Sequence, residues 1–201
     1  LSGVRAIGID EIAVWSGHGY VTVVYQIDAG CRRLLWLGRT RKKKALESFF
    51  AFWGKQRTSA LEFICSDMWR AYLTVVAKKA GHVLHVLDRF HIVGNMNKVV
   101  DKVRAHEARE MARAGYEPVL AKSRWCFLKR KKNLTGTQRR KLTDVLRYDL
   151  LTVRAYLLKE SLQGLWRYVS PDAAGWFLDK WCTRALRSRI VPIKRFARTL
   201  R

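Results

Sequence analysis

Apolar and polar positions follow two different periods along this chain, and the change between them divides it. Residues 4–14 (VRAIGIDEIAV) are β-branched and small apolar residues with an acidic interruption, the pattern of a buried strand. Ser16, Gly17, His18 and Gly19 then predict a turn. Residues 20–28 (YVTVVYQID) form a second strand, Ala29 and Gly30 turn the chain again, and residues 33–38 (RLLWLG) form a third. The period changes after the basic cluster Arg41, Lys42, Lys43 and Lys44: Leu46, Phe49, Phe50 and Trp53 fall three and four apart, on one face of a helix. Residues 61–67 (LEFICSD) return to strand character. Residues 71–80 read as a helix ended by Gly81, and residues 82–88 (HVLHVLD) as a further strand. Beyond Arg89 only helical periodicity remains. Leu142, Val145, Leu146, Leu150, Val153 and Leu157 trace one face; Leu186, Ile190, Ile193, Ala197 and Leu200 trace another, with Pro192 marking a boundary or kink.

The order is three strands, then helix, strand, helix, strand. An antiparallel meander followed by parallel crossovers is the element order of the α/β RNase H-like fold, in which catalytic acids sit at strand ends near the sheet centre. Residues 1–92 are therefore expected to be the first part of such a core, and residues 93–201 a mostly helical section. With 201 residues and 49% hydrophobic side chains, the chain can bury one substantial core but not several.

Charge narrows the partner. Forty Lys and Arg against sixteen Asp and Glu leave a formal charge of +24, far beyond what solubility requires. Double-stranded DNA is the expected partner. No stretch approaches the roughly 20 uninterrupted apolar residues of a spanning helix, so a membrane is not. Cys31, Cys65, Cys126 and Cys182 lie far apart with no C-x-x-C pair, which suggests neither a zinc site nor a disulfide framework and fits a reducing, cytoplasmic and nucleoid-associated setting. Because the chain opens on Leu1 and closes in a basic run, it reads as a portion of a longer protein.

Asp10 stands inside an otherwise apolar strand, where an unpaired carboxylate is costly unless a metal, a cation or hydrogen bonds offset it. Asp67, 57 residues later, closes the fourth strand. In the inferred fold the first and fourth strands are neighbours, so both acids can serve one catalytic metal site, and oxygen ligands suit Mg2+ or Mn2+. A two-metal site of this kind drives in-line phosphoryl displacement. Equally, Asp10 reads as a hydrogen-bonded acid and Asp67 as the start of a turn or a helix cap. Glu11 alternates to the face opposite Asp10.

Five segments, IGIDE (7–11), SDMWRAY (66–72), LDRFHIV (87–93), AYLLKE (155–160) and IKRFARTL (193–200), resemble in order and spacing the motifs of the ISL-three (ISL3) family of bacterial insertion-sequence transposases. The resemblance implies an RNase H-like catalytic domain with an Asp, Asp, Glu triad and two divalent ions. Asp10 matches the first acid and Asp67 the second. The third, a Glu in a Glu-Gly-x-Asn-Asn motif, is expected downstream of IKRFARTL, beyond Arg201; Glu117 and Glu160 fall in the section between the second and third acids. The resemblance also implies transposon-end and target DNA as substrates, cleaved and joined by a homo-oligomer. Asp88 and His91 leave two readings open: an auxiliary role in orienting DNA or ligand carboxylates, or a helix-capping Asp beside a surface His. His82 and His85 are expected on opposite faces of one strand.

Nine basic residues and no acid lie between Lys122 and Lys141, Lys129, Arg130, Lys131 and Lys132 among them, and seven more follow from Arg184 to Arg201, again unopposed. They read as phosphate contacts. Trp125, Trp166, Trp176 and Trp181 are expected mostly in the core. A catalytically silent DNA-binding remnant and a structure-selective nuclease of the same fold are the alternatives to a transposase.

Overall fold

The structure, a computed structural model, describes residues 3–15, 19–40 and 42–201, with the backbone alone at Trp15. The turn expected at Ser16, Gly17 and His18, and Arg41 of the basic cluster, lie outside the described residues. The chain separates into two compact units, Leu1–Ile92 and Val93–Arg201.

The first unit holds a mixed five-stranded sheet. Strands β1 (Ala6–Trp15), β2 (Gly19–Gln26) and β3 (Leu34–Gly38) pair antiparallel in sequence, and β4 (Phe63–Ser66) and β5 (Leu84–Leu87) add parallel strands on the other side of β1, giving the order β3-β2-β1-β4-β5. Alternation along β1 selects the faces: Ile7 and Ile9 point into a core shared with Val24 and Ile64. Helices α1 (Lys43–Trp53) and α3 (Arg70–Lys79) cover that side, contributing Leu46, Phe49, Phe50 and Trp53 from one and Tyr72, Val75 and Val76 from the other. The periodicity reading of α1 therefore places its buried face, and the helix expected over 71–80 forms as α3. A five-residue helix, α2 (Lys55–Ser59), was not expected; its Thr58 hydroxyl donates to the Gly54 carbonyl at 2.8 Å.

The second unit is helical throughout. Helix α4 (Arg89–Arg113) runs into it and is followed by α5 (Arg124–Leu128), α6 (Gly136–Val145), α7 (Leu151–Leu162), α8 (Pro171–Arg187) and α9 (Val191–Leu200), with short 3-10 turns at Lys131–Asn133 and Gln163–Arg167. The polar break at Thr135 and Gly136 is a helix start. Thr135 accepts from the Gln138 N–H, and Gln138 reaches back to the Thr135 N–H, a closed capping box.

Of three expectations for these helices, the structure corrects the first and third and meets the second. The apolar face running from Leu142 to Leu157 belongs to two helices: α6 ends at Val145, and the chain turns through Tyr148 to an extended Leu150 before α7 begins. The cause is remote. Glu107 on α4 accepts the N–H groups of Leu151 and Thr152 at 2.7 and 2.8 Å and the Thr152 hydroxyl at 2.6 Å, so its carboxylate caps α7 from 44 residues upstream. Second, the boundary expected at Pro192 is present: Ser188 to Ile190, with Arg189 at φ 60°, separate α8 from α9, and Pro192 lies in the first turn of α9, where its missing N–H costs nothing. Third, of the four tryptophans expected in the core only Trp181 is fully buried; Trp166 is half-buried, and Trp125 and Trp176 are exposed. The ring faces of these last two meet cations instead, Lys180 lying 3.6 Å from the Trp176 centroid and Arg124 5.2 Å from that of Trp125.

A prediction follows from the borrowed cap. Glu107→Ala leaves two N–H groups and a hydroxyl without their acceptor and is expected to cost about 1–2 kcal/mol, with Glu107→Gln losing less. Urea denaturation followed by circular dichroism measures this. A loss below about 0.5 kcal/mol would show that solvent satisfies those groups as well as the carboxylate does.

Buried charge is rare in this unit, and Lys159 shows how it is tolerated. Its ammonium group donates to the Phe127 carbonyl at 2.5 Å and pairs with Glu160 at 3.1 Å, while its pKa is pulled down by burial and partly restored by that glutamate.

Candidate active site

Register decides what lies beside Asp10. Ile9 of β1 pairs with Ser66 of β4, and Ser66 with Leu87 of β5, so one residue further along three adjacent parallel strands come Asp10, Asp67 and Asp88. Both parallel neighbours end there, at their carboxyl ends, which is where open α/β sheets expose their functional side chains. Glu11 is on the opposite side, as alternation predicts: it hydrogen-bonds Tyr72, whose hydroxyl also meets Thr22 at 2.8 Å and is held protonated by burial.

Each carboxylate is anchored differently. Asp10 Oδ1 accepts the N–H of Glu11 at 2.7 Å. Asp67 Oδ1 accepts the N–H of Trp69 at 2.8 Å, the turn that leads into α3. Asp88 Oδ1 accepts the N–H of Phe90 at 2.7 Å and its carbonyl accepts that of Ile92, so Asp88 does cap α4. His91, three residues on, is not simply a surface residue. Its Nε2 lies 3.4 Å from Asp10 Oδ1 and 3.9 Å from Asp88 Oδ2, with the side chain 29% exposed. The geometry thus brings Asp10, Asp88 and His91 into contact. No hydrogen bond or ion pair among the described residues joins Asp67 to Asp10, and none of their groups of three or more His, Cys, Asp or Glu is arranged to hold a metal ion.

Two further residues, to which the sequence reading gave no place in the site, lie in this region. Tyr25 pairs with Gly8 across β1 and β2, and a Cβ at residue 8 would sit 2.7 Å from the Tyr25 hydroxyl, so only glycine lets the phenol lie over the strand. Cys65 pairs with Gly8 from the other side. Burial raises the pKa of both Tyr25 and Cys65, and the negative charges of Asp10 and Asp88 raise them further. The detectable signal was Gly8 itself, a glycine inside an apolar strand. The histidines behave differently from expectation: His82 lies in the turn before β5, and only His85 is on the strand, hydrogen-bonded to Ser66 Oγ at 2.7 Å with its pKa lowered by burial.

In the second unit the basic segment sits on the surface. Arg130, Lys131 and Lys132 are exposed, and Lys131 and Lys132 line an open groove with Leu134, Arg139, Leu142, Thr143 and Leu146. Lys129 is half-buried, its ammonium group 3.4 Å from Gln138 Oε1. No helix of the described residues is long and apolar enough to cross a membrane.

A family model described as a transposase, of the ISL3 DDE type, matches residues 7–201. The transposase for insertion sequence element IS1001 of Bordetella parapertussis is 28% identical over the whole of this chain and 49% of its own length. The transposase for insertion sequence element IS1557 of Mycobacterium tuberculosis is 30% identical over 94% of this chain and 47% of its own length. The chain spans about half the length of these relatives. With nearly every residue inside the family match, this chain belongs to the ISL3 family of insertion-sequence transposases.

Proposed function

We propose that this chain is the first part of an RNase H-like catalytic domain that cleaves transposon ends and joins them to target DNA, with Asp10 and Asp67 as catalytic metal ligands. The observation that carries it is the β1–β4 register, which sets Asp67 one residue past the Ile9–Ser66 pair and so beside Asp10. The sheet order, a three-stranded meander continued by two parallel strands, supports the RNase H-like reading.

The donor set suits Mg2+ or Mn2+, because it consists of carboxylate oxygens. When bound, two such ions activate the attacking oxygen and stabilise the leaving one during in-line phosphoryl displacement. The protein's own part is orientation. The Glu11 and Trp69 N–H groups each hold one oxygen of Asp10 and Asp67, fixing the carboxylates before any ion or DNA arrives. A third carboxylate is required, and we place it in a segment of the full transposase beyond these residues. Strand cleavage of terminal DNA with Mg2+ or Mn2+, run with Asp10→Ala and Asp67→Ala beside the parent, tests the chemistry. Activity surviving in both variants would overturn it.

Duplex DNA is the substrate class, held by phosphate contacts from Lys129, Arg130, Lys131 and Lys132, and the active assembly is a homo-oligomer. Exposure of three of these four cations, with Lys131 and Lys132 lining one groove, supports the contact. Changing Arg130, Lys131 and Lys132 to Ala is expected to weaken binding to all duplex sequences alike and to lower the slope of log affinity against log salt by up to about 0.9 for each phosphate that is no longer neutralised. Fluorescence anisotropy at several salt concentrations measures it, and an unchanged slope would remove the patch from the interface.

A further inference from the structure

His91 is positioned by two independent features. The i, i+3 spacing at the start of α4 puts it on the same face as Asp88, whose Oδ1 is already tied to the Phe90 N–H, leaving Oδ2 3.9 Å from His91 Nε2. The Phe90 ring meets the imidazole edge-on at 5.7 Å and 87°. From this fixed position Nε2 reaches back to β1 and lies 3.4 Å from Asp10 Oδ1, the oxygen that also accepts the Glu11 N–H.

We infer that His91 is a positioning residue for the metal site: its Nε2 holds the Asp10 carboxylate in one orientation, and Asp88 holds the imidazole. The inference rests on the proposed role of Asp10 as a metal ligand. Asp10 on β1 and Asp88 after β5 stand on either side of β4, and Nε2 lies within 4 Å of an oxygen of each, nearer to Asp10. Asp10 Oδ1 accepts the Glu11 N–H and lies 3.4 Å from the ring nitrogen, so the carboxylate is held at one oxygen. A carboxylate so held gives up less orientational entropy on gaining an ion, which is why groups bonded to metal ligands commonly change metal affinity 10- to 100-fold when removed. Asp88 is accordingly engaged in capping and in holding His91.

Calorimetric titration of the full transposase with Mn2+ tests this. His91→Ala is expected to bind about 10-fold more weakly than the parent. His91→Gln, whose amide N–H falls near the place of Nε2, is expected to stay within about 3-fold of the parent, a rescue that simple packing would not produce. His91→Leu keeps the volume without the N–H, and it carries the comparison if His91→Ala does not fold. Asp10→Ala is the reference for the site itself. If Asp10→Ala weakens Mn2+ binding while His91→Ala and His91→Leu leave it at the parent's level, the positioning role is wrong and the metal site stands. If His91→Gln is as weak as His91→Leu, the N–H is not what matters and the inference fails. If Asp10→Ala and the parent take up Mn2+ equally, or neither does, the proposed metal site fails and the inference with it.

Discussion

Asp10→Ala is expected to slow cleavage of transposon-end DNA by about 10^3-fold or more, while duplex affinity stays within about twofold. A factor of that size corresponds to about 4 kcal/mol of transition-state stabilisation, more than any surface contact supplies. The substitution sits between buried Ile9 and half-buried Glu11, opposite Val23 of β2 in the β1–β2 ladder, so the backbone has no reason to move. Only the carboxylate is removed. Taking away a negative charge does not weaken attraction to a polyanion, and the exposed cations at Arg130, Lys131 and Lys132 are untouched, which is why binding and chemistry are expected to separate. Asp67→Ala is expected to behave in the same way, and each variant loses a little stability because the Glu11 or the Trp69 N–H loses its acceptor. The assay requires the full transposase, gel-resolved strand cleavage and Mg2+ or Mn2+. Cleavage within tenfold of the parent in both variants would show that the chemistry lies elsewhere.

Trp181→Ala is expected to destabilise the second unit by about 3–5 kcal/mol, against less than about 1 kcal/mol for Trp176→Ala on the same helix. Trp181 is 1% exposed, its ring edge-on to Phe196 of α9 at 6.2 Å, and its indole N–H donates to the Leu158 carbonyl of α7 at 2.9 Å. Removing it opens a cavity where three helices meet and leaves a buried carbonyl short of a donor. Trp176 is 60% exposed and engages only Lys180 across its ring face among the interactions described for it, so its removal mostly exchanges a cation contact for solvent. Urea denaturation monitored by far-ultraviolet circular dichroism distinguishes the two, since it does not depend on the fluorophore removed. Equal losses would mean that burial along α8 does not follow its two faces.

Much of this protein is legible before any tertiary structure. Alternation through Ile7 and Ile9 marks β1 and its buried face, and the three-and-four spacing of Leu46, Phe49, Phe50 and Trp53 marks α1, because each pattern reports one segment against one environment. Asp10 stands out for the same reason: a carboxylate in an apolar strand needs an explanation. Five short motifs in order place the family, since order and spacing along a chain are properties of the sequence alone. Periodicity failed where it met a boundary set from elsewhere. Leu142 to Leu157 looks like one continuous stripe, and no glycine or proline interrupts it, yet α6 and α7 separate there because Glu107 caps the second helix from another part of the chain. Composition likewise could not sort Trp176 from Trp181, whose difference is which neighbours each face of α8 meets. The spacing of Asp88 and His91 was visible, but not their approach to Asp10, 81 residues earlier than His91. That contact depends on β1, β4 and β5 pairing in one register, and register is a choice among non-local partners that only packing of the whole sheet resolves.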